Sequence, residues 1–200
     1  MSEIPSIAPY LEKYVREAVA TLEAPYLLAA LERIVPIFLK ARTEDRTIFF
    51  FGNGGSASTA SHFVTDIAKV AGGTVARGPG KRFRCLSLND NLPGLTAWAN
   101  DTSYARVFAG PLEALAVKGD VVVAISGSGN SPNVLEAVTT ARAMGLTTIG
   151  LTGIGGGKLK DLVDVPLVVP SNSMQQTENV HLVVCHFLTA YLRDEQALRD

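Results

Sequence analysis

Apolar positions in the first 45 residues recur at helical spacing. Tyr10, Leu11, Tyr14, Val15, Ala18, Val19 and Leu22 share one face, and Tyr26, Leu27, Leu31, Ile34, Val35, Phe38 and Leu39 share another. Pro25 separates the two predicted helices, and Pro36 would kink the second. Two helices ahead of the first strand have no crossover duty. They either cap a sheet or pack against another subunit, and subunit packing is the expectation. From residue 46 the pattern changes to short runs rich in β-branched and aromatic residues, at 47–51, 84–88, 121–125, 147–152 and 165–169. Each is too short for a buried helix and reads as a buried strand. Pro166 puts the last at a sheet edge or a strand start. Between the runs lie helical patterns at about 57–70, across a region that holds Asn100-Asp101 and Leu112-Glu113-Ala114-Leu115, at 132–144, and from about Gln176 onward. Strands alternating with helices predict α/β layers around a parallel sheet, whose ligands sit outside the carboxyl ends of the strands.

Two loops at that edge carry candidate chemistry. After the third run come Ser126-Gly127-Ser128-Gly129-Asn130-Ser131-Pro132. Ser131 suits an N-cap and Pro132 the first helical turn, where its missing N–H costs nothing. Free N–H groups, the helix dipole and the hydroxyls of Ser126, Ser128 and Ser131 make a phosphate cradle. A capped turn without ligand is the competing reading, but it needs fewer small polar residues than stand here. After the first run come Gly52-Asn53-Gly54-Gly55-Ser56. Residues 72–82, with Arg77, Lys81 and Arg82, read as a solvated loop, or else as a flap bringing positive charge to a phosphate.

Composition narrows the class. At 200 residues, 47% hydrophobic and 18% charged, the chain can fill one core and is apolar enough to suggest buried subunit contacts. A net charge of -1 gives no general attraction to nucleic acid or membrane. Cys85 and Cys185 lie in separate apolar runs and read as buried free thiols. Without a signal-like leader or a long apolar run, the expected location is the cytoplasm. Two glycine-rich segments imitate nucleotide sites. Gly52-x-Gly54-x-x-Ala57 has no acidic residue about 20 positions on, at the end of the next strand. Gly153-Ile154-Gly155-Gly156-Gly157-Lys158 is followed by Leu159, where a phosphate-binding loop has Ser or Thr. No nucleotide cofactor is expected.

Taken together, these motifs resemble the sugar isomerase (SIS) domain family, and most closely its phosphoheptose isomerases. The likeness rests on Gly52-Asn53-Gly54-Gly55-Ser56 with His62-Phe63, Ala99-Asn100-Asp101, and Gly119-Asp120 leading to the serine loop. Leu151-Thr152-Gly153 with Gly156-Gly157-Lys158, and His181 and His186 on the last helix, complete it. It spans nearly the whole chain. It implies a single SIS domain over 1–200, with helices at 1–45 for oligomer packing and a flavodoxin-like α/β core at 46–200. That core is three-layered, with a five-stranded parallel sheet. It also implies a homotetramer with shared active sites, and interconversion of sedoheptulose 7-phosphate with D-glycero-D-manno-heptose 7-phosphate through an enediol.

Such an isomerisation needs a base over carbon, a proton exchanger at oxygen and a phosphate anchor. His62 and Asp66, four apart, share a helix face. The resemblance gives the base to the Asp66 position and the acid partner to His186. It gives phosphate binding to Ser126, Gly127, Ser128 and Ser131, and sugar hydroxyls to Asn53, Gly54, Ser56, Asn100, Asp101 and Glu178. Some relatives bind zinc at the positions of His62, Asp66, Glu178 and His186, a donor set that suits a tetrahedral ion. Three departures stand out. Asp66 replaces the usual Glu, Glu178 replaces the usual Gln, and Val70 stands where Arg is common. Either Asp66 or Glu178 is then the base. Plainer readings stand beside these: His181 as a packed helix histidine, His186 as a satisfied core residue, Asp101 as a helix cap. A non-catalytic adaptor of the replication-initiator-binding type and a sugar-phosphate sensor are the alternatives to an enzyme.

Overall fold

A computed structural model describes residues 6–23, 25–71 and 82–197. Helices α1 (Ile7–Leu22) and α2 (Tyr26–Thr43) precede β1 (Thr47–Gly52), α3 (Gly55–Asp66) and β2 (Arg84–Ser87). Then follow α4 (Leu92–Asp101), α5 (Ala109–Leu115), β3 (Val121–Ser126), α6 (Pro132–Ala143), β4 (Thr147–Thr152), α7 (Leu159–Leu162), β5 (Val165–Val168) and α8 (Met174–Ala197). Among the described residues the five strands form one parallel sheet in the order β2-β1-β3-β4-β5. The expected α/β fold and its two leading helices are therefore present, and each strand lies within a residue or two of its apolar run. Pro166 falls on β5, an edge strand, where its missing N–H breaks no inner ladder. The predicted loop at 72–82 falls, but for Arg82, outside the described residues.

Alternation along β1 divides the core. Ile48 and Phe50 face one layer, with Phe38 of α2, Phe63 of α3 and Val184 and Leu188 of α8. Phe49 and Phe51 face the other, with Phe108 near α5 and Val134 and Val138 of α6. The two N-terminal helices part ways. Ala30, Leu31, Ile34, Phe38 and Ala41 bury α2 against the sheet, so it caps the core. On α1 the apolar Ile7, Tyr10, Leu11, Val15 and Val19 stay exposed.

The sheet order reverses direction between β1 and β3, and this switch point puts the loops after those strands side by side. The opposite end is pinned by Asp120. Its buried carboxylate accepts hydrogen bonds from Thr47 N and Val117 N, each at 2.9 Å, and so ties the start of β1 to the turn before β3. Asp120→Ala should strand both donors and cost about 2 to 4 kcal/mol. Urea unfolding should show the lowered midpoint, with Asp120→Asn falling in between.

Candidate functional site

At the carboxyl edge, Gly52 is fixed by Asn89, whose side chain accepts from Gly52 N (3.2 Å) and donates to Gly52 O (2.9 Å). The chain turns through Gly54, at φ 55°, a backbone region that favours glycine, and enters α3. Asn53 and Asn133 exchange two hydrogen bonds of 2.9 Å, joining the β1 loop to the start of α6. The Tyr104 hydroxyl donates to Asn53 Oδ1 at 3.1 Å. Across the switch point, Ser131 holds the N-cap position of α6 without capping it. Its hydroxyl instead lies 3.1 Å from Ser126 Oγ, within the loop. At this helix start Val134 N donates to Ser131 O and to Asn133 Oδ1, and Leu135 N donates to Ser131 O, so the backbone of Ser131, not its side chain, takes the first-turn donors.

Asn53, Gly54, Gly55, Ser56, Ser126, Gly127, Ser128 and Ser131 line a cleft of about 300 Å³, closed on its far side by Met174 and Glu178 of α8. Among the described residues no basic side chain lines it, so an anion there would rely on hydroxyls, backbone N–H groups and the starts of α3 and α6. The Glu178 carboxylate lies against Gly55 so closely that a Cβ there would stand 2.8 Å from Oε1. A second cavity of about 330 Å³ is bordered by Leu86, Leu88, Leu95 and Trp98, and no titratable group stands on its wall among the described residues.

Farther along the same two helices, His62 and Asp66 of α3 meet His186 of α8. His62 Nε2 lies 3.2 Å from Asp66 Oδ2 and 3.2 Å from His186 Nε2, and His186 Nε2 is 4.0 Å from Asp66 Oδ2. All three side chains are partly open to solvent, so His186 is not a core histidine. Just past Asp66 the helix widens into a π turn, Ile67–Ala71, an irregularity frequent beside functional residues. Cys185 lies close under His62 and Asp66, and burial, Asp66's charge adding to it, pushes its thiol up to about 12. Asn100 and Asp101 lie exposed at the end of α4, bonded to each other at 2.9 Å, and neither lines the cleft. Sequence reasoning missed Asn133, Tyr104, Met174 and the placement of Cys185. A polar residue at 133, on the face that α6 buries, was the available signal for the first.

His181 is a packed helix residue, as its plainer reading held. It is 1% exposed, and its Nε2–H donates a long 3.5 Å bond to Thr152 O at the end of β4. Its Nδ1 has no hydrogen-bond partner. Burial pulls its pKa down to about 4, against a smaller opposing effect of the Thr152 carbonyl.

The SIS-domain family profile matches residues 13–153. The phosphoheptose isomerase of Aliarcobacter butzleri is 37% identical over 92% of this chain and 92% of its own. That of Helicobacter pylori is 40% identical over 81% of this chain and 82% of its own. The solved structure of the phosphoheptose isomerase from Neisseria gonorrhoeae superposes with a TM-score of 0.84 at 28% identity, covering 94% of this chain and all of that one.

One pH effect follows from His181. Its folded form holds the proton less tightly than the unfolded form, so the stability it lends is complete above pH 6.5 and is lost as pH falls towards 4. The loss through this group should reach up to about 3 kcal/mol. Urea midpoints measured across that range should fall less steeply for His181→Gln than for the native protein.

Proposed function

The chain belongs to the SIS-domain family and to its phosphoheptose isomerases, and on that premise we propose that it interconverts sedoheptulose 7-phosphate and D-glycero-D-manno-heptose 7-phosphate through an enediol. The observation that carries this reading is the layout along α3 and α8. Their starts frame the hydroxyl-lined cleft through Ser56 and Glu178, while His62, Asp66 and His186 converge farther along.

In this reading Ser126, Ser128 and Ser131, with Gly127 and the positive end of the α6 dipole, hold the phosphate. Asn53, Gly54 and Ser56 hold hydroxyls, with Asn133 and Tyr104 fixing Asn53. Asn100 and Asp101 would serve sugar hydroxyls from the rim or from a neighbouring protomer. Either Asp66 or Glu178 removes the carbon-bound proton, and His186 exchanges protons at oxygen. General acid–base help of this kind is worth about 10²- to 10⁴-fold.

Zinc fits the same residues. Ligands on a four-coordinate zinc with bonds of about 2.0 Å stand roughly 3.3 Å apart, and the His62, Asp66 and His186 donors are separated by 3.2, 3.2 and 4.0 Å. His62, Asp66 and His186 would hold the ion, with Glu178 as the fourth donor inferred from the family. Bound there, it would polarise the sugar carbonyl.

Assembly completes the proposal: one SIS domain, with a core at 46–200, in a homotetramer packed through the N-terminal helices. Ile7, Leu11, Val15 and Val19 on α1, and Val183, Phe187 and Tyr191 on α8, form exposed apolar stripes at four-residue spacing. The two helices touch, with Asn179 Nδ2 donating to Tyr14 Oη at 2.8 Å. A second copy of the chain is the surface such stripes suit. A cytoplasmic location accords with the described helices, none of which is long and apolar enough to cross a membrane.

The decisive experiment follows sedoheptulose 7-phosphate by NMR in heavy water. Aldose should appear with deuterium at the reacting carbon. His186→Ala should slow this at least about 100-fold, Asp66→Asn and Glu178→Gln should separate base from supporting carboxylate, and chelation should abolish turnover until zinc is restored. Binding with neither product nor exchange would identify a sensor instead. Light scattering should give a tetramer mass, reduced in a Leu11→Glu, Val15→Glu double variant.

A further inference from the structure

Beneath the exposed histidines lies a donor that the proposed reaction does not use. Cys185 is free, fully buried and one residue before His186 on α8. Its Sγ, a His62 ring nitrogen and an Asp66 carboxylate oxygen all lie within 4.8 Å of one another. Thiolate, imidazole and carboxylate bind zinc-like ions at about 2.0 to 2.3 Å. Contraction to the roughly 3.5 Å separations of a four-coordinate site is therefore within the reach of side-chain rotation. Independently, the Nε2 atoms of His62 and His186 face each other at 3.2 Å beside Asp66 Oδ2, so ring nitrogens and a carboxylate oxygen already converge on one place.

We propose that His62, Asp66 and Cys185 form an inner site for a thiophilic divalent cation, sharing two donors with the outer set that His186 completes. Residues 185 and 186 project about 100° apart around α8. The sulfur therefore approaches from the core and the imidazole from the solvent side. Cations that prefer sulfur, such as cadmium, or that readily accept it, such as cobalt, settle inward; those that favour nitrogen and oxygen alone stay outward, nearer the cleft. The thiol proton passes to solvent as the metal–sulfur bond forms. This inference stands on donor geometry and not on the isomerase reading, and its test measures no turnover.

The metal-free full-length protein is titrated with cobalt(II) and its absorption recorded. The expected result is a near-ultraviolet sulfur-to-cobalt charge-transfer band that saturates at one ion per chain. It should vanish in Cys185→Ser and persist in Cys85→Ser and His186→Ala. Cadmium affinity should fall at least about tenfold in Cys185→Ser. Cobalt bound without the charge-transfer band, or no cobalt bound at all, overturns the proposal, as does a band that survives Cys185→Ser. Should Cys185→Ser fail to fold, His62→Ala and Asp66→Asn decide: a weakened band supports the inner site, and an unchanged one overturns it.

Discussion

Helix α8 approaches the strand-end loops more closely than any residue with a Cβ would allow. At Gly127 that atom would stand 2.2 Å from Met174 Sδ, and at Gly153 it would stand 2.3 Å from Thr177 Oγ1. These contacts set α8 directly on the loops that end β3 and β4, and Gly55 does the same for α3 against Glu178. These contacts fix the starts of α3 and α8 against each other, and the two helices run on side by side from there. His62 and His186, 124 residues apart in sequence, meet at 3.2 Å. A bulkier residue at 153, where the short Thr177 side chain cannot swing clear, would push α8 outward and open the cleft and the histidine pair together.

The charge arrangement follows from the same packing. A cleft built from hydroxyls and helix starts favours an anion, yet Glu178 brings a carboxylate into its wall. Neutral Gln would avoid that repulsion. A carboxylate here is compatible with a bound phosphate only if positive charge lies near, and among the described lining residues no Lys or Arg supplies it. On the proposed reading, a divalent cation farther along α3 and α8 would be that counter-charge. Asp66, one methylene shorter than Glu, keeps its oxygen within 3.2 Å of His62 and leaves the longer side chain, at 178, to reach the cleft.

Much of the fold was legible because its signals are local. Runs such as Val121–Ile125 are continuous and β-branched, as strands buried on both faces must be, and the proline of Val165-Pro166 marked an edge. The serine loop announced itself by composition. What stayed hidden depends on partners distant in sequence. The Asn53–Asn133 pair joins residues 80 apart, and nothing near either names the other. Ser131 read as a cap because capping is a local rule, but its hydroxyl turns to Ser126 in the folded loop. The helix pattern at 57–70 was right, while its π turn after Asp66 leaves no trace in apolar spacing. Both N-terminal helices looked alike as amphipathic stripes. Only packing shows that α2 spends its stripe on the sheet and α1 does not.

His181 and His186 show how one helix assigns opposite duties to the same side chain. Five residues on a helix turn through about 500°, leaving the two rings roughly 140° apart. His181 consequently faces the β4 end, where water is excluded and the neutral imidazole is favoured, and it serves as packing with a single donor to Thr152. His186 faces α3 at the solvent edge, with Asp66 and His62 as neighbours. A proton exchanger must gain and lose its proton cheaply, and a ring held neutral by burial cannot. The division between them is therefore fixed by angular position on α8, and exchanging their roles would require rotating the helix against glycines that leave it no room.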